Sequence, residues 1–147
     1  MNEIFKLLDS PTVERIQAFQ KAHAQLPQIE VPVDHLFAEG LYGRPMYLRA
    51  GESVVGAKHG KEHLCIVVGH CIVVDGQSRR ELVGWNAFVS HPGAKRAIVA
   101  IEDTVWMTVH ATTLTDVAEI EKAVLLPEGE PNRFFPQGSA AIEEDVS

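Results

Sequence analysis

The sequence predicts an all-β fold, a small barrel or jelly roll flanked by helices. Short apolar runs recur between residues 44 and 110, and glycines at 40, 43, 51, 56, 60, 69, 76, 84 and 93 punctuate this region. Three- and four-residue apolar periodicity is confined to the two ends of the chain. At 147 residues, 46% hydrophobic and 22% charged, the chain is long enough and apolar enough to bury one core. Residues 1–30 form an N-terminal helical segment, 31–126 the barrel with a C-terminal helix, and 127–147 a Pro/Gly-rich acidic tail.

A short helical turn is expected over residues 2–8. Ser10 then serves as an N-cap ahead of Pro11 at the first helical position, and Val13, Ile16, Phe19 and His23 mark the apolar face of a helix over about 11–25. Pro27 ends it, and residues 27–32 are extended. Strands are expected at 44–49, 53–57, 62–68, 70–74, 79–83, 87–90, 97–100 and 104–110. Asp75-Gly76 between two apolar runs signals a hairpin, and Glu102-Asp103 a second tight turn. The last helix begins at Thr115-Asp116, buries Val117, Ile120 and Val124, and stops before Pro127.

The balance of charge excludes some partners. A net charge of −7 argues against a broad nucleic-acid surface, although Arg79, Arg80, Lys95 and Arg96 are close enough in sequence to make a local basic patch. The apolar runs at 64–68 and 97–101 are far too short for a membrane span, and the first ten residues do not read as a signal peptide, so the expected compartment is the cytoplasm. Cys65 and Cys71 lie in apolar strands outside any CxxC and read as reduced core thiols. The 64–68 strand is apolar on both faces. Because a barrel has one interior, a homodimer or higher homo-oligomer is expected to cover the other face.

The chemistry-bearing residues are histidines. His59 and His63 flank the turn Gly60-Lys61-Glu62, and His110 closes the last strong strand. Three neutral imidazoles, or two with a carboxylate, suit Zn, Fe, Mn or Ni and leave coordination positions open. Strand alternation puts His63, Cys65 and Val67 on one face and Glu62, Leu64, Ile66 and Val68 on the other, so only one of Glu62 and His63 can face the barrel. Glu62 is the substitute ligand should His63 face outward. Thr104, Trp106, Thr108 and His110 share a face, which places Trp106 and Thr108 in the pocket wall. Arg96 either closes a salt bridge to Glu102 or Asp103 or faces an anionic ligand. Tyr42 and Tyr47 both carry hydroxyls within possible reach of the pocket, and Tyr47 is assigned to it. His70 and His91 read as surface or turn residues, His23 and His35 as residues flanking elements, and Trp85 as a packing residue.

The segments GAKHGKEHLCIVVG, FVSHPGAKRA and EDTVWMTVHAT, in this order and spacing, resemble small single-domain cupin-like proteins common in bacteriophage and prophage genomes. The resemblance covers about residues 35–125. It implies a cupin-type jelly roll in which two histidine-bearing motifs meet, with Glu62 seven positions before Gly69 and Pro92-Gly93 at the second motif's turn. Arg96 stands where that motif usually carries a ligand, so His110 supplies it from the next strand. The implied protein is a metal-binding one with a small-molecule pocket at the barrel mouth. Its activity is enzymatic, or it is a phage-type binding protein that sequesters a host signal or blocks a host defence protein, or a virion assembly component. Fold does not choose among these.

Overall fold

A computed structural model describes residues 3–125 apart from 57 and 94. The 127–147 tail therefore lies outside the described residues. Six antiparallel strands form one sheet: β1 (Leu36–Ala38), β2 (Leu41–Leu48), β3 (Ser53–Val55), β4 (His63–Val74), β5 (Arg79–Ser90) and β6 (Ala97–Ala111). The order across it is β1-β2-β6-β4-β5, and β3 pairs with the first half of β6 while β2 pairs with the second. The architecture is a jelly-roll barrel flanked by a 3₁₀ turn at Glu3–Asp9, α1 (Val13–His23) and α2 (Val117–Val124).

Three of these strands are longer than the sequence suggests. The runs expected at 62–68 and 70–74 fall in one strand that begins at His63, and 79–83 with 87–90 and 97–100 with 104–110 likewise belong to single strands. No tight turn forms at Glu102-Asp103. Instead the three strands bend along a shared line. Gly69 on β4 has φ +142° and lies opposite Gly84 on β5, with φ +77°. The β4–β6 register shifts on either side of His70. The Thr104 hydroxyl joins the two strands there: it accepts from the His70 amide at 3.1 Å, and its single proton is shared between the carbonyls of Glu102 (2.8 Å) and His70 (3.1 Å). These bulges bend strands that would otherwise run straight, the usual way a sheet turns a barrel corner.

The Asp75-Gly76 hairpin is present, with the Asp75 carboxylate accepting from the amides of Gln77 and Ser78, each at 2.7 Å. Beyond it, Gly76 runs under α1: a Cβ there would lie 2.8 Å from Val13 Cγ2. The N-cap of α1 is Thr12 rather than Ser10. Its backbone is extended and its side chain accepts from the Arg15 amide at 3.1 Å.

Inward-facing side chains from β2, β4, β5 and β6 stack in rungs. Tyr42, His110, His63 and Ser90 form the rung at the mouth. Arg44, Thr108, Cys65 and Phe88 form the next, and Met46, Trp106, Val67 and Asn86 the third. Below them Leu48, Val54, Cys71, Val73, Ile98 and Ala100 complete the barrel core. Outside the barrel, Leu8, Ile16 and Phe19 pack on Val55, Val74, Ala97 and Val99. The helices thus cover one half of the sheet's outer face. On the other half Leu64, Val68, Val83, Trp85 and Val89 are exposed, and Trp85, expected to pack, is 68% exposed. Among the described residues no helix is long and apolar enough to cross a membrane.

Replacing Gly69 by Ala sets a Cβ 2.5 Å from the Asp103 carbonyl oxygen and 2.6 Å from Thr104 Oγ1, at a φ that L residues avoid. Urea unfolding of Gly69→Ala is expected to show a loss of about 3 kcal/mol. A loss under about 0.5 kcal/mol would mean that the corner is not constrained.

His23, at the end of α1, is buried, hydrogen-bonded to Ser53 Oγ at 2.8 Å, and held by burial at a pKa of about 4. Above pH 6.5 neither the folded nor the unfolded chain protonates it. Between about pH 6.5 and 4 the unfolded chain takes up the proton and the folded one does not, so stability falls with pH across that window. The expected contribution is about 3 kcal/mol. In His23→Gln, the stability lost between pH 7 and 4 should shrink by that amount in denaturant titrations.

Candidate metal centre and its cavity

Antiparallel pairing sets the start of β4 beside the end of β6, with Leu64 opposite Val109. His63 and His110 therefore meet at the barrel mouth, their ring centroids 4.3 Å apart. His59 enters from the preceding turn. Its backbone is clamped there: its carbonyl accepts from Gly93 N at 2.9 Å, and it bridges to Leu125 just beyond α2. Its ring lies 4.3 Å from His63 and 5.0 Å from His110 by centroid.

All three histidines are buried, and one ligand nitrogen from each lies within 4.8 Å of the others. The His63 Nδ1–H donates to the Lys61 carbonyl at 3.1 Å, because a carbonyl can only accept. That fixes the tautomer and leaves the His63 Nε2 lone pair available, the arrangement in which an outer hydrogen bond orients a metal-ligating imidazole. His59 Nδ1 and His110 Nε2 share a hydrogen bond of 3.1 Å. The remaining ring nitrogens, Nε2 of His59 and His63 and Nδ1 of His110, are buried with no partner.

The electrostatics keep the rings neutral. Burial, then the neighbouring histidines and arginines, lowers the pKa of His59 well below 6.5. Burial and His63 bring His110 down to about 3. Burial also lowers His63, partly opposed by its bond to Lys61. Neutral imidazole is the form that binds a metal.

The other expected site residues fall in different places. Glu62 faces away from the barrel, and its carboxylate pairs with exposed His91 at 3.2 Å. Tyr47 is also outside the cavity, donating to Asp34 Oδ2 at 2.8 Å on the surface. Trp106 is fully buried in the core one rung below Thr108, and its ring edge meets Phe88. Arg96 makes no salt bridge to Glu102 or Asp103. It is buried, its Nη2 donating to Ser90 Oγ at 2.6 Å and its guanidinium lying over Phe88 and Trp106. Its burial removes it from any surface patch with Arg79 and Arg80. Of the other histidines, His70 pairs with Glu81, and His35 is bonded to the Tyr42 hydroxyl at 2.6 Å.

A cavity of about 20 Å³, room for about one water, opens beside the triad. His59, His110, Thr108, Tyr42 and Arg44 line it, and Ile120, Glu121, Val124 and Leu125 close it from the α2 side. Of the two tyrosines considered for the pocket it is Tyr42 that lines it, and Arg44 was not among the expected pocket residues. Beginning β2 at residue 41 instead of 44 brings the alternation Tyr42, Arg44, Met46, Leu48 into view, and that alternation points all four inward.

No family model and no curated protein matches the chain. Solved structures do. Protein plu4264 of Photorhabdus luminescens is 11% identical with a TM-score of 0.51, over 67% of this chain and 88% of that one. The DMSP lyase DddQ of Ruegeria pomeroyi is 19% identical with a TM-score of 0.50, over 68% of this chain and 54% of that one. A cupin superfamily protein of Desulfitobacterium hafniense is 16% identical with a TM-score of 0.49, over 63% and 84%. At such identities the likeness is one of fold, and the fold of this chain is the cupin-type jelly roll.

Proposed function

We propose that this chain is a metal-binding cupin-like protein in which His59, His63 and His110 hold one divalent ion, Zn, Fe, Mn or Ni, beside a small-molecule cavity. The observation that carries the reading is the set of three buried, neutral imidazoles with partnerless ring nitrogens. A buried polar atom without a partner costs about 1–3 kcal/mol, and metal ligation relieves it. When bound, such an ion supplies a Lewis-acid centre that polarises an oxygen-bearing ligand. The chain's own part is to orient the imidazoles, through Lys61 for His63 and the Gly93 and Leu125 contacts for His59, and to exclude water with α2.

The affinity to the phage and prophage group rests on the three sequence segments at 56–69, 88–97 and 102–112. A cytoplasmic location is in keeping with Cys65 and Cys71, which are both buried free thiols with pKa values pushed up to about 11 by burial. A homodimer or higher oligomer is supported by the uncovered half of the outer sheet face around Trp85, because neighbouring exposed apolar side chains on one sheet face suit a self-complementary contact.

Metal titration tests the first reading. The purified protein is expected to take up one equivalent of at least one of Zn, Fe, Mn and Ni. His110→Ala should weaken uptake by more than the roughly 10–100-fold that loss of an outer partner costs. Glu62→Gln should bind as the native chain does. No uptake of any of the four ions would overturn the reading.

Sedimentation tests the second. The native chain should sediment well above its 16.2 kDa monomer mass, and Trp85→Glu at that mass with unchanged circular dichroism. A native monomer at high micromolar concentration would remove it.

A further inference from the structure

The three imidazoles are held by different parts of the chain. His63 opens β4 and His110 lies near the end of β6, and the pairing of those two strands runs from Leu64 opposite Val109 to Val74 opposite Ala97. His59 has no strand of its own, because residues 58–62 lie between β3 and β4 and belong to neither. Two distant stretches grip its backbone instead. From the turn between β5 and β6, the Gly93 amide donates to the His59 carbonyl at 2.9 Å. From the end of α2, Leu125 bridges to His59, and the Val124 carbonyl accepts from the Gly60 amide at 2.5 Å. Ile120 and Val124 are buried and line the cavity together with His59 and His110.

This division has an energetic consequence. With α2 displaced, strand pairing still presents His63 and His110, but the His59 backbone loses one of its two grips. An ion held by three fixed imidazoles is bound more tightly than one held by two and a loose third. Whatever factor a docked α2 adds to the affinity for the ion, the ion must add to the docking of α2, because the two equilibria are linked. The other helix offers a matched comparison. α1 packs on Val55, Val74, Ala97 and Val99, in the half of the barrel away from the mouth.

We propose that the last turn of α2 is a positioning element of the metal centre: docked, Val124 and Leu125 set His59 beside His63 and His110, and an ion on the three imidazoles in turn holds α2 docked. The inference rests on the metal-centre reading and adds to it a dependence that runs in both directions.

Two matched substitutions in the full chain test it, Ile120→Ala in α2 and Ile16→Ala in α1, each removing a buried side chain. Affinity is measured for whichever of Zn, Fe, Mn and Ni the native chain takes up. Ile120→Ala is expected to weaken it about tenfold, the size of losing an outer partner, and Ile16→Ala to leave it unchanged. The reverse direction needs no variant, so it decides the matter should Ile120→Ala fail to fold. Hydrogen exchange of the native chain, read by mass spectrometry, follows the amides of Ile120 and Leu125, which close α2 onto Asp116 and Glu121, and that of Ile16, which closes α1 onto Thr12. The bound ion should slow the α2 amides about tenfold beyond any slowing of Ile16. Equal ion affinity in the two variants, or α2 amides slowed no more than that of Ile16, overturns the proposal. Should the native chain take up none of the four ions, the metal reading fails. The Gly93 amide of the metal-free protein, followed by NMR, then decides whether α2 sets His59: faster exchange in Ile120→Ala than in Ile16→Ala upholds it, and equal exchange sinks it.

Discussion

The structure depends on one corner. Three long strands, β4, β5 and β6, can serve both the lower core and the mouth of the barrel only because they all bend at the same level, where Gly69 faces Gly84 and the Thr104 hydroxyl holds the shifted register. Neither glycine tolerates a side chain without strain, since both have positive φ. Above the corner the strands carry the histidine and arginine rungs. Below it they carry aliphatic residues and, on the outside, the seat for α1. One bend therefore separates the chemical half of the barrel from the half that anchors it.

The site follows from this arrangement with few further requirements. A long antiparallel pair necessarily brings the first residue of one strand beside the end of the other, and here those positions are His63 and His110. Only His59 requires a separate device, the clamp on its backbone from Gly93 and Leu125. Burial keeps all three rings neutral, and Arg44 and Arg96 reinforce this for His59.

Much of this was legible in the sequence, and the exceptions have physical causes. Alternation along 62–68 opposed Glu62 to His63, and Glu62, the residue just before β4, turns outward to His91 while His63 turns inward. The same alternation along 104–110 set Thr108 and His110 on one face. Glycine was read as an interruption, yet Gly69 and Gly84 lie within continuous strands paired in unbroken register, and in β6 the extra residues are taken up as shifts against β4, so three strands were each split in two. Glu102-Asp103 has the composition of a turn but lies in β6 at the corner, where its residues are exposed on the convex side. Arg96 was expected either beside a neighbouring acid or in the pocket facing an anionic ligand. Its actual partner, Ser90, comes from β5 and depends on a fold-level pairing that local pattern does not contain. Trp85 was read as a packing residue, and its position beyond the reach of α1 leaves it exposed instead.

The small helix α2 has a consequence in time. Its apolar contacts form a cluster of their own, Tyr42 with Ile120, Val124 and Leu125, separate from the barrel core. Two or three side chains of that kind amount to a few kcal/mol, well below the stability of a whole domain. α2 can therefore lift while the barrel stays folded, and when it does, the bridge from Leu125 to His59 opens with it. The eight residues of α2 and the backbone that sets His59 in the triad are thus tied to one another, and what loosens the helix loosens the histidine too.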